Sequence, residues 1–90
     1  MVERDRFAAT VGVMTLNAGQ WTDLFAARLG TVAPSEEENN LLLALAGTAA
    51  HASERTAAPI SCWLAARAGV APVDAARVAR ELADEVEAGH

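Results

Sequence analysis

Ser35-Glu36-Glu37-Glu38, followed by Asn39-Asn40-Leu41-Leu42-Leu43-Ala44-Leu45-Ala46, is the stretch whose reading decides the fold. A serine three residues ahead of a glutamate is a capping box: the hydroxyl takes the Glu38 amide and the Glu38 carboxylate reaches back to the Ser35 amide. Three carboxylates in the first turn also suit the positive end of a helix dipole. Leu42, Leu45, Ala46, Ala49 and Ala52 or Ser53 then recur at helical spacing. This pattern predicts a central helix from Ser35 to about Thr56, with that stripe turned to a core.

Working outward, the same punctuation repeats. Asn17 with Gln20 forms a second capping box, Trp21, Leu24, Phe25 and Leu29 make one stripe, and Gly30 is a natural stop. After the central helix, Pro59 fits the first turn of a third helix that carries Ile60, Trp63 and Leu64 and ends at Gly69. Pro72 opens a fourth, with Val78, Ala79, Leu82 and Val86 predicted to face inward. Arg77 to Glu81 and Arg80 to Asp84 are read as i,i+4 ion pairs on its outer face. No segment alternates with the period of a strand. The expected fold is all-α, a small bundle of four short helices over residues 17–88. A fifth arises if residues 1–16, with Phe7, Val11 and Met14 broken by Gly12, form more than a weakly helical or frayed extension.

Composition narrows the function classes. Of 90 residues, 22 are alanine, so helices are favoured but core volume is scarce, and association with a second copy or a larger partner would help. The net charge is −5 and every one of the seven cations is arginine. Such a surface repels phosphate backbones and anionic membranes, so no nucleic-acid or membrane partner is expected. Without lysine there is neither Schiff-base chemistry nor a lysine-dependent phosphate loop. The lone Cys62 rules out an internal disulfide, and no run is long and apolar enough to span a membrane. The expected location is cytoplasmic.

Catalytic constellations are missing: there is no triad, no phosphate loop and no paired buried carboxylates, so the expected protein is not an enzyme and needs no cofactor. Glu36, Glu37 and Glu38 read as first-turn caps. Cys62 lies beside Trp63 with no neighbouring cation, which suits an inert thiol. Trp21 and Trp63 suit core or interface anchors. Residues 59–88 could imitate a helix-turn-helix, but the last helix is too acidic to read DNA. His51 has no second histidine or cysteine at ligand spacing, so no metal is expected.

One feature of the central helix remains. Ala44, Thr48, His51 and Arg55 fall on the side roughly opposite Leu42, Leu45 and Ala49. One turn apart, the His51 imidazole and the Arg55 guanidinium could converge on a carboxylate or phosphate, or on a partner admitted by the small residues beside them. The competing role is architectural: a cation in the last turn caps carbonyls and complements the dipole. The candidate interaction residues are His51, Arg55, Thr48 and Trp63.

The string Ala50-His51-Ala52-Ser53-Glu54-Arg55-Thr56-Ala57-Ala58-Pro59 resembles the signature of a small bacterial domain of unknown function. That family typically shows a Trp-containing helix ending in Leu-Gly, a helix ending in A-H-x-x-x-R-x-x-A-P, and a short hydrophobic helix. Trp21, Leu29-Gly30, Ala50-His51, Arg55, Ala58-Pro59 and Trp63-Leu64 fall in that order, over about residues 20–69. Gly47-Thr48 stand where the family tends to carry charge, and Ala66 where it has glycine. The family's domain occurs alone or fused to molybdenum cofactor guanylyltransferase-like proteins, and can be encoded near formate dehydrogenase-type enzymes. The resemblance implies a non-catalytic accessory role in maturing such an enzyme, with an oxidoreductase subunit or the guanylyltransferase as protein partner. Two other roles compete with it: a binder of small anions or pterin phosphates through His51 and Arg55, and a self-associating structural domain whose role is its homodimer.

Overall fold

In the computed structural model, residues 16–89 are described, and they contain four α-helices. The expectation of a weak helix or frayed extension over residues 1–16 falls almost wholly outside them. The chain divides into two units, one ending at Ala33 and one beginning at Pro34.

In the first unit, helix α1 spans Ala18–Leu29. Asn17 and Gln20 close the predicted capping box, with bonds of 2.8 and 2.9 Å. At the far end Gly30 adopts φ 80°. The Gly30 amide donates to the Ala27 carbonyl and the Thr31 amide to the Ala26 carbonyl, a Schellman stop that a side chain at position 30 would strain. Trp21 and Phe25, one turn apart, lie nearly parallel with ring centroids 5.9 Å apart.

The second unit holds α2 (Glu36–Ala52), α3 (Ala57–Arg67) and α4 (Pro72–Ala88). Ser35 and Glu38 cap α2 reciprocally, as read from the sequence. The helix stops at Ala52, four residues short of expectation. Ser53 is the physical reason: both its amide and its hydroxyl donate to the Ala49 carbonyl, and its backbone leaves the helical region at φ −139°, ψ −94°. Pro59 sits in the first turn of α3, and Gly69 (φ 74°) closes it with the same Schellman pattern as Gly30. Pro72 is the first residue of α4.

Helix α2 is the central element, packing on both α3 and α4. The C-terminal halves of α2 and α4, through residues between 47 and 52 and between 80 and 87, line one cleft. Leu45 of α2, 4% exposed, and Ala75 of α4, 6% exposed, form the sealed centre of this unit. Around them the half-buried positions are mostly small, Leu41 and Leu42 on α2 being the large ones: Ala46 and Ala49 on α2, Ser61, Cys62 and Ala65 on α3, Ala76, Ala79 and Ala83 on α4.

The inward face of α4 therefore corrects the sequence expectation. Ala79 does face in, but Val78, Leu82 and Val86 stand about half exposed. Ile60, Trp63 and Leu64 of α3 are likewise outward. Helix axes approach most closely where the facing side chains are smallest, and the alanine edge of α4 satisfies that geometry while the larger residues do not.

Candidate functional site

Thr48 and His51, three residues apart on α2, are brought to the cleft between α2 and α4. Helix α4 supplies its other wall through Arg80, Ala83, Asp84, Val86 and Glu87, and Gly47 and Ala52 join the α2 side. The cleft is open to solvent and has a volume of about 470 Å³. It presents a hydroxyl, an imidazole, a guanidinium and two carboxylates to solvent, beside the methyl groups of Val86. These groups can bind a mixed polar and apolar surface. Among the described residues, no three His, Cys, Asp or Glu side chains are placed to hold a metal ion.

Arg55 is not part of this arrangement. Because α2 ends at Ala52, Arg55 lies in the turn to α3, where its carbonyl accepts the Ala58 amide at 3.1 Å. The helical face expected to align it with His51, one turn on, does not exist. His51 rather than Arg55 is the basic residue of the last turn of α2. Trp63 is also elsewhere. On α3, 58% exposed, its ring carries the Arg67 guanidinium at 5.0 Å in a cation–π contact.

The charged side of α4 departs from expectation in a second way. Arg77 pairs with Glu81 at 3.3 Å, as predicted, and also with Asp74 at 3.5 Å. Hydrogen bonds to Glu81 first and Asp74 second hold the Arg77 guanidinium further above its ordinary pKa. Arg80 and Asp84, read as a second ion pair, form none and instead both line the cleft. Sequence reasoning missed Arg80, Asp84 and Glu87 as site residues because an i,i+4 pattern of charges reads as a solvated face.

Cys62 faces α2, and its thiol points at the Leu42 carbonyl, with Sγ 3.9 Å from the oxygen. Partial burial pushes its pKa above that of a free thiol. Two consequences follow at once. Alkylation of Cys62 at pH 7 to 8 should run several-fold slower in the folded chain than in urea, as a thiol-reactive chromophore would record. The neutral thiol is the form folding favours, so its contribution is complete below the ordinary thiol pKa and is lost as pH rises past the raised value. Equal rates in folded and unfolded chain would contradict this.

None of the helices among the described residues is long and apolar enough to cross a membrane. What they do offer are stripes of half-exposed large side chains: Trp21, Leu24, Phe25 and Leu29 on α1, Ile60, Trp63 and Leu64 on α3, Val78, Leu82 and Val86 on α4. No curated protein and no solved structure matches the chain. A family described as a domain of unknown function, DUF6457, matches residues 15–90 and so takes in α4 as well as the segment whose motif resembled a small bacterial domain. The chain belongs to that family.

Proposed function

We propose that this chain is a non-catalytic docking module of the cytoplasm, acting in the assembly of a molybdenum-dependent oxidoreductase of the formate dehydrogenase type or in the maturation of its cofactor. The observation that carries the docking role is the inversion of side-chain size: alanine lines most of the helix contacts while Trp63, Leu82 and their neighbours stand outward. Large apolar and aromatic side chains are what protein interfaces bury, and contiguous stripes of them mark interaction surfaces. The molybdenum context rests on the A-H-x-x-x-R-x-x-A-P resemblance across Ala50–Pro59. In that reading the partner is an oxidoreductase subunit or a cofactor guanylyltransferase.

The deciding experiment is affinity purification of the tagged full chain from its host at native expression, under conditions that induce a molybdenum enzyme. The expected result is stoichiometric recovery of an oxidoreductase subunit or a guanylyltransferase, reduced by Trp63→Ala. Recovery of neither would remove the molybdenum assignment. Anion binding through His51 and Arg55 loses the shared helical face it depended on, because Arg55 sits in the turn. Self-association remains a measurable competitor, and a stable dimer at micromolar concentration by sedimentation would favour it.

A further inference from the structure

Three of the four helices end as their dipoles require: Arg28 stands in the last turn of α1, His51 in that of α2 and Arg67 in that of α3. Helix α4 breaks the rule. It has no basic residue in its last turn and runs out through Asp84, Glu85 and Glu87. Those carboxylates face the negative end of their own helix, a local conflict of the kind that marks a surface shaped by something other than stability.

The same turns carry the apolar stripe. Val78, Leu82 and Val86 recur every four residues, and all three are about half exposed, Val86 carrying the stripe to the edge of the cleft with α2. On the side of that stripe away from the buried alanines lie Asp74, Glu81 and Glu85, each three or four residues from a stripe member and therefore adjacent to it. Arg77 occupies Asp74 and Glu81, which leaves Glu85 without an ion partner among the described residues. The stripe is thus apolar, flanked by carboxylates, and closed at its C-terminal end by a concentration of negative charge.

Resting on the docking role proposed above, we infer that the exposed edge of α4 beside its buried alanines receives a basic amphipathic helix from another protein. Its apolar residues lie along Val78, Leu82 and Val86, and its arginines or lysines lie beside Glu81, Glu85 and the α4 terminus. A second copy of this chain is the poorer occupant: it brings a further net charge of −5 and places the same carboxylates against themselves. A helix with cations beside its leucines supplies what the end of α4 lacks.

The test uses the full chain and two synthetic helical probes that share one leucine stripe, flanked by arginine in the first and by glutamate in the second. By titration calorimetry at low salt, the arginine-flanked peptide should bind at least about tenfold more tightly, with the preference shrinking as salt screens the rim. Leu82→Asp should lose at least about tenfold in affinity while its helical circular dichroism is unchanged, since a half-exposed position tolerates the change. The double variant Glu81→Lys, Glu85→Lys should reverse the preference between the peptides, and it tests the idea even if the first variant misfolds. A photoreactive group on the arginine-flanked peptide should label α4.

Equal binding of the two peptides, binding of neither, or labelling away from α4 would overturn the inference. So would sedimentation in which Leu82→Asp dissolves a dimer of this chain, because a second copy would then hold the face. Failure of both peptides alongside successful capture of a molybdenum-enzyme partner would leave the docking role intact on another surface.

Discussion

Leu45→Ala is expected to remove about 2–4 kcal/mol from the stability of the unit formed by α2, α3 and α4. Among the described residues of that unit, Leu45 is the only large side chain that water scarcely reaches, and the positions flanking it on α2 are Leu41, Leu42, Ala46 and Ala49. Truncation leaves a cavity that alanines from α3 and α4 cannot fill, because they have no side-chain length with which to collapse into it. A domain of this size has only a few kcal/mol in hand, on the scale of roughly 0.1 kcal/mol per residue. The variant should therefore melt far below the parent. Leu43→Ala, two residues away and 62% exposed, should shift stability by less than about 0.5 kcal/mol. Urea unfolding followed by circular dichroism compares the two directly. Similar losses for both would mean that Leu45 is not the centre of the packing.

The features legible in the sequence are the ones decided within four residues. Asn17 with Gln20 and Ser35 with Glu38 each form both bonds of a capping box, and Gly30 and Gly69 each close a helix in the left-handed region. Such motifs are satisfied by neighbours along the chain, so no knowledge of the tertiary arrangement is needed to find them. The end of α2 was readable in principle. Ser53 competes for the Ala49 carbonyl, but serine also occurs inside helices, and the Arg55 that follows at one-turn spacing suggested continuation. That one residue decided the candidate site. With the helix stopped at Ala52, Thr48 and His51 keep a common face, and Arg55 leaves it. The partners His51 does acquire come from α4, some thirty residues further on, and no local pattern announces a pairing of that kind.

Helix α4 shows the harder problem. It carries two stripes of four-residue period, Val78-Leu82-Val86 and Ala75-Ala79-Ala83, and hydropathy alone favours the larger side chains for the interior. The structure buries the smaller set, with Ala75 at 6% exposed and Leu82 at 57%. The two choices make opposite predictions for a pair of substitutions. If bulk faced inward, Leu82→Ala would be the damaging change and Ala75→Leu nearly free. In the observed packing Ala75→Leu inserts three carbons where α4 meets α2, forcing the helices apart or the leucine off its rotamer, at a cost of about 1–3 kcal/mol. Leu82→Ala forfeits only the half of a leucine that is already covered, and alanine's better helix propensity offsets part of that, leaving a net loss below about 1 kcal/mol. Chemical denaturation of both variants at one temperature gives the order. Should Leu82→Ala prove the more destabilising, the alanine edge is not the packed one, Leu82 is core, and the exposed edge of α4 on which a basic helix would dock does not exist.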